Sequence, residues 1–107
     1  MDACFLGIDL GTSGLRALLV TKSGEIIGEG EAHYSVSNPA DGFSEQDPAD
    51  WVSACQVALC ALRQACPEAY RSVAGIGVAG HMHGATLLDA AGAVLRPCIL
   101  WNDTRSH

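Results

Sequence analysis

The sequence has few positive charges and no cluster of them. Six of its 107 residues are Lys or Arg and twelve are Asp or Glu, which leaves a formal net charge of −6 at pH 7. Nucleic-acid binding usually requires a basic patch, so we expect no nucleic-acid partner. No apolar run approaches the roughly 20 residues that a membrane-spanning helix needs, and the chain starts without a basic leader-like segment. We therefore expect no membrane association.

Cysteine pairing motifs are also missing. The chain has five cysteines, an odd number, at positions 4, 55, 60, 66 and 98, and none stand in a CxxC arrangement. Most lie in apolar surroundings, so the sequence predicts reduced thiols in a cytoplasmic protein, with no disulfide and no structural metal. Apolar residues make up 49% of the chain, enough for the core of one modest domain and too many for disorder.

One stretch organises the chain. An apolar run leads to a single carboxylate, Asp9, and a second apolar run follows after a turn of small residues, which are Gly11, Thr12, Ser13 and Gly14. The glycines allow several main-chain N–H groups to converge on one point, and the hydroxyls add donors. Arg16 adds a charge whose geometry matches a phosphate. We interpret this as a β-hairpin that binds phosphate.

Asp9 indicates what else the hairpin would bind. A carboxylate beside a phosphate repels it unless a divalent cation lies between them, so this position predicts Mg²⁺. An ordinary turn remains the alternative, because Gly, Ser and Asp are also common turn residues.

Hydrophobic patterning places the elements around the hairpin. Strands are predicted at residues 3–9, 15–21 and 26–34, the last a weak, edge-type strand, and together they form a β-meander. Asp47 as N-cap and Pro48 after it start a helix over residues 48–65, in which we expect Trp51 to be buried against the sheet. Residues 73–79 then return as a strand parallel to the first. The fold class is therefore α/β.

The motifs together resemble a known family. The Asp9 turn is similar to the first phosphate motif of the actin, Hsp70 and sugar-kinase superfamily, which implies a ribonuclease-H-like fold. The segments 43–48, 80–85 and 96–105 resemble the FGGY carbohydrate kinases, and the last two are most similar to the D-xylulose kinases among them. His81 departs from that pattern, which usually has Gln there.

The resemblance implies an ATP- and Mg²⁺-dependent phosphorylation of a ketopentose, expected to be D-xylulose, to its 5-phosphate. It places Gly11, Thr12, Ser13, Gly14 and Arg16 at the nucleotide phosphates and Asp9 at Mg²⁺, through water. It further implies that the sugar contacts Met82 and His83, with Asn102 and Asp103 at the rim of the cleft. The alternatives are a kinase of another sugar or polyol, a superfamily ATPase, and an assembly module without activity.

The resemblance also implies missing parts. Family members have two lobes and an Asp general base that lies later than residue 107, so we expect residues 1–107 to be an incomplete N-terminal lobe. Such a chain is expected to be inactive alone. The apolar face that would meet the rest of the lobe predicts self-association, for instance as a homodimer.

Overall fold

The computed structural model describes residues 2–80 and 84–105. Its elements in chain order are β1 (Cys4–Leu10), β2 (Gly14–Val20), β3 (Ile26–His33), β4 (Glu45–Gln46), α1 (Pro48–Ala65), α2 (Pro67–Arg71), β5 (Val73–Ala79) and β6 (Cys98–Ile99). Among these residues, neither helix has the length and apolar character needed to span a membrane.

The main sheet confirms the predicted meander. Its strand order is β3-β2-β1-β5, with β1 antiparallel to β2, β2 antiparallel to β3, and β5 parallel to β1. The weak strand β3 lies at one edge, as its glycines and glutamates predicted. The parallel strand β5 forms the other edge within the described residues. Asp9 and Arg16 stand opposite each other in the β1–β2 register.

Helix α1 begins and ends at the residues predicted. The Asp47 carboxylate accepts a hydrogen bond from Ala49 N at 3.0 Å, and Pro48 occupies the first turn, where a missing N–H costs nothing. The residues that reach the core are spaced four apart on the helix: Ala54, Ala58 and Leu62. They pack against the buried face of β2, which carries Leu15, Ala17 and Leu19.

Trp51 is less deeply buried than expected. It is only half-buried and lies outside the core cluster, and its Nε1 donates to Gln46 Oε1 at 2.9 Å. The same side of the helix carries Ala54 and Ala58, three and seven residues later, and these small residues let the helix backbone approach the sheet closely. A bulky indole would hold the two apart.

Glycines in β3 take part in this close approach. A Cβ at Gly30 would lie 2.4 Å from the Ala58 carbonyl oxygen, and one at Gly28 would lie 2.7 Å from Cys66 Sγ. The two glycines predicted a weak strand, and the structure adds that they make room for α1. Helix α2, which the sequence did not predict, follows because Pro67 ends α1 and also suits the first position of a new helix.

A second, two-stranded sheet, which the sequence did not predict, joins two distant segments. β4 and β6 pair antiparallel, Glu45 with Ile99 and Gln46 with Cys98. Around it lies a group of charged residues that we call the clasp: Glu45, Arg96, Asp103 and Arg105. The Glu45 carboxylate accepts hydrogen bonds from both arginines. The clasp thereby ties residues 96–105 to the start of α1, about 50 residues earlier in the chain.

Candidate phosphate and sugar site

The turn between β1 and β2 directs its carbonyl groups toward the protein. All four of its carbonyl oxygens accept hydrogen bonds: Gly11 O from the Tyr34 hydroxyl, Thr12 O from Gln46 Nε2 at 2.5 Å, Ser13 O from Tyr34 N at 3.2 Å, and Gly14 O from Gly11 N at 2.9 Å. The acceptors of the turn are therefore satisfied by β3, by β4 and by the turn itself.

The amide groups of the same turn are not satisfied internally. Within residues 2–80 and 84–105, neither Thr12 N nor Ser13 N has an acceptor. Consecutive free N–H groups of this kind form an anion-binding concavity. The exposed Ser13 side chain adds a hydroxyl at the same place. The turn thus offers donors and no free carbonyl oxygen, which is what a phosphate requires.

Asp9 and Arg16 lie beside the turn, on the sheet face opposite α1. The neighbours of Asp9 along β1, Ile8 and Leu10, face the helix. The neighbours of Arg16 along β2, the buried Leu15 and Ala17, do the same, so Asp9 and Arg16 point to the other face. They line a groove of about 330 Å³ together with Ser13, Gly14, Leu15, Glu31, Ala32 and His33. The carboxylates of Asp9 and Glu31, a hydroxyl and a guanidinium therefore converge next to the free amides.

Arg16 also has carboxylate neighbours. Its Nε lies 3.9 Å from Glu29 Oε2 and its Nη2 lies 4.0 Å from Glu31 Oε2, with all three side chains more than half exposed. Exposed ion pairs of this length contribute little, and a phosphate that arrives in the groove competes with them easily. The guanidinium is thus near the groove but not locked into it.

Tyr34 is held as a neutral hydrogen-bond donor. Its pKa is raised, first by burial and second by the nearby Asp9 carboxylate. Both effects disfavour the phenolate, so the hydroxyl keeps the proton that it donates to Gly11 O.

A magnesium site of protein ligands alone is absent from the described part of the chain, where no three His, Cys, Asp or Glu side chains cluster. Asp9 by itself still fits Mg²⁺, which usually keeps several waters and takes one or two carboxylates together with substrate phosphates.

The four residues expected at the sugar have different positions. Met82 and His83 lie outside the described residues. Asn102 is exposed. Asp103 belongs to the clasp: its side chain is 2% exposed, and its carboxylate accepts from the Arg105 guanidinium and from Ser44 N at 2.6 Å. The Arg105 guanidinium, more than any other neighbour, holds the pKa of Asp103 well below its usual range.

The structure brings the segment after β6 to the phosphate turn. Trp101 Nε1 lies 3.4 Å from Thr12 Oγ1, although 89 positions separate the two residues. Sequence reasoning missed this contact and also missed Tyr34 and Gln46 as supports of the turn. No local pattern signals these residues, because each supports the turn from a distant segment.

The comparisons with known proteins agree over nearly the whole chain. Residues 4–107 match the FGGY family of carbohydrate kinases, N-terminal domain. Xylulose kinases of Klebsiella pneumoniae and Escherichia coli are 48% and 46% identical over 101 residues, which is 94% of this chain. The chain spans about a fifth of the length of these curated relatives.

Solved structures share the fold. A Brucella ovis protein named xyloylose kinase superposes with a TM-score of 0.93 and 55% identity, covering 95% of this chain and 22% of the other. Xylulose kinase of Rhodospirillum rubrum superposes with a TM-score of 0.90 and 33% identity, covering 95% of this chain and 21% of the other. Glycerol kinase of Plasmodium falciparum superposes with a TM-score of 0.87, covering 97% of this chain and 21% of the other. At 20% identity, this likeness shows the fold alone.

Proposed function

Because this chain belongs to the FGGY family of carbohydrate kinases and has the fold of their N-terminal, ribonuclease-H-like lobe, we propose that the whole protein phosphorylates D-xylulose with ATP. The product would be D-xylulose 5-phosphate. The observation that carries this proposal is the turn at residues 11–14, whose carbonyls are all bonded inward while the Thr12 and Ser13 amides have no acceptor in the described chain.

Phosphoryl transfer depends on positioning and charge neutralisation more than on covalent chemistry by the protein. The Thr12 and Ser13 amides, with the Ser13 hydroxyl, would bind the nucleotide phosphates, and Gly11 and Gly14 allow the backbone its close approach. Arg16 would leave its exposed glutamate neighbours to pair with a phosphate oxygen. Asp9 would hold Mg²⁺ through water, and the ion when bound neutralises charge on the phosphates.

The sugar is proposed from the names of the relatives and from the segment at 80–85. His83 would hydrogen-bond a sugar hydroxyl, Met82 would pack on its carbon face, and Asn102 would stand at the rim. Asp103 would act through the clasp, by holding its neighbours in place. Another sugar or polyol is the alternative, which the departure at His81 leaves open, and the fold does not decide between them because xylulose and glycerol kinases share it.

Two further parts of the proposal concern the setting. The five cysteines are all free, which supports the cytoplasm, where thiols stay reduced and ATP is available. Self-association is proposed for the 107-residue chain, because the rest of the lobe would cover this face in the whole protein, and it is supported by β5, whose Ile76 and Val78 are 64% and 72% exposed. In the β1–β5 register they stand opposite Leu6 and Ile8, on the sheet face that α1 covers, but α1 does not extend over them.

The test is Asp9→Asn in the whole protein, with the exposed loop substitution Asp41→Asn as the matched control. Loss of one preorganised charge contact to a transition state typically costs about 100- to 1000-fold in kcat. We expect a fall of that order for Asp9→Asn, unchanged sugar binding by calorimetry, and no effect of Asp41→Asn. Near-normal turnover of Asp9→Asn at saturating Mg²⁺ would contradict the role of Asp9. Preference of the wild type for glycerol or gluconate over D-xylulose would move the assignment to a sister kinase.

A further inference from the structure

Gln46 bridges two parts of the molecule with its side-chain amide. The residue is 2% exposed, its Nε2 donates to the Thr12 carbonyl at 2.5 Å, and its Oε1 accepts from Trp51 Nε1 at 2.9 Å. An indole N–H is a donor only, so the oxygen of the amide must face Trp51 and the nitrogen must face Thr12. These two contacts are consistent with one orientation of the amide and not with the flipped one.

The bond to Thr12 determines the direction of another group. In a trans peptide the carbonyl of one residue and the N–H of the next lie in one plane and point in opposite directions. Holding Thr12 O toward Gln46 thus turns the Ser13 N–H away from Gln46. The Tyr34 hydroxyl does the same to the preceding peptide, because it holds Gly11 O and so orients the Thr12 N–H.

We infer that Gln46 is a positioning residue for the phosphate cradle: through Thr12 O it keeps the Ser13 N–H directed at the bound nucleotide. This inference rests on the proposed function, because it assumes that the turn binds the phosphates of ATP. It also explains why Gln46 is buried on β4. Pairing of β4 with β6 holds its backbone, and α1 supplies Trp51 to hold its side-chain oxygen.

The substitution Gln46→Met keeps the approximate length of the side chain and removes both polar groups. The Thr12–Ser13 peptide is then free to rotate, so we expect Mg·ADP to bind at least about tenfold more weakly, as measured by calorimetry on the whole protein. D-xylulose binding should stay within about twofold of the wild type. Gln64→Met, an exposed position on α1, is the matched control.

The substitution Gln46→Glu supplies a readout that a merely structural role would not give. An ionised carboxylate can still accept from Trp51 but repels the Thr12 carbonyl, whereas a protonated carboxyl can donate to it. Nucleotide affinity relative to the wild type should be low at pH 8 and recover as the pH is lowered toward 5. The thermal midpoint, measured in the same samples, shows whether each variant is folded.

Failure of the proposed kinase function and failure of the Gln46 role give different results. A wild-type protein that binds no Mg·ADP and shows no kinase activity would overturn both. A wild type that binds Mg·ADP while folded Gln46→Met binds it equally well would overturn the role of Gln46 alone. If Gln46→Met does not fold, the pH recovery of Gln46→Glu decides: recovery supports the positioning role, and affinity independent of pH contradicts it.

Discussion

Gly30→Ala should destabilise the fold, because the helix and the sheet already touch there. The new Cβ would lie 2.4 Å from the Ala58 carbonyl oxygen, about 1 Å closer than ordinary contact. That oxygen belongs to the backbone of α1 and cannot rotate aside, so the whole helix must move. Overpacking of this kind costs about 1–3 kcal/mol, and the reduced freedom of the unfolded chain returns about 0.4–1 kcal/mol. The expected net loss is about 1–2 kcal/mol.

Gly77→Ala is the matched control for this prediction. Gly77 is also a strand glycine, but a Cβ there would meet nothing within 4 Å, and its φ is not positive. We expect no loss of stability from it and a gain of up to about 1 kcal/mol.

Urea denaturation of the 107-residue chain, followed by far-UV circular dichroism, measures both variants. The Gly30→Ala midpoint should fall, and its melting temperature should drop by roughly 4–8 °C for each kcal/mol lost in a domain of this size. Equal midpoints for Gly30→Ala and Gly77→Ala would refute the close packing of α1 on β3.

Four further predictions each concern a single residue. The Arg105 and Arg96 guanidinium groups lower the pKa of Glu45, so the stabilising effect of its carboxylate is present above about pH 4.5 and is lost as the pH falls below that value. Glu45→Gln should flatten the dependence of the urea midpoint on pH between about 5 and 3. An unchanged slope would exclude a stabilising role of the Glu45 charge. The raised pKa of Tyr34 means that its contribution to stability is present below about pH 10 and is lost as the pH rises through the pKa of the folded state. Tyr34→Phe should therefore reduce the alkaline loss of stability, and an identical alkaline profile would count against a role of the partly buried hydroxyl. His83→Ala in the whole protein should raise KM for D-xylulose by roughly 2- to 12-fold, the equivalent of about 0.5–1.5 kcal/mol, and leave KM for ATP unchanged; equal changes would indicate a structural role. The 107-residue chain should self-associate at tens of micromolar by light scattering and do so less as Val78→Lys, whereas a monomeric wild-type chain would contradict the exposed β5 face.

Much of the fold was predictable because its elements are long and their patterns local. The apolar runs of β1 and β2 identify strands without reference to anything else in the chain. Asp47 and Pro48 mark the start of α1 by chemistry confined to its first turn. By contrast, the burial expected for Trp51 was too deep, because hydrophobicity predicted the bulky residue inside, whereas close packing on Gly30 takes small residues and leaves Trp51 at the start of the helix, outside the core cluster.

The candidate site divides in the same way. Asp9, the turn at 11–14 and Arg16 are contiguous, so the sequence alone placed a carboxylate, small residues and a guanidinium around one hairpin. The supports of that turn come from elsewhere: Tyr34 at the end of β3 and Gln46 on β4.

What the sequence determined by itself is therefore the set of local decisions: which segments are strands or helix, where α1 starts, and which residues form the hairpin turn. Only the tertiary structure decided which hydrogen-bonding groups of the turn remain free, because its carbonyls are satisfied by Tyr34 and Gln46 from distant segments. The same holds for the pairing of β4 with β6, two strands of two residues each, too short to carry a periodic pattern. Beside the paired strands, Glu45 contacts Arg96 and Arg105, which follow it by 51 and 60 residues, so no local stretch contains both sides of this arrangement.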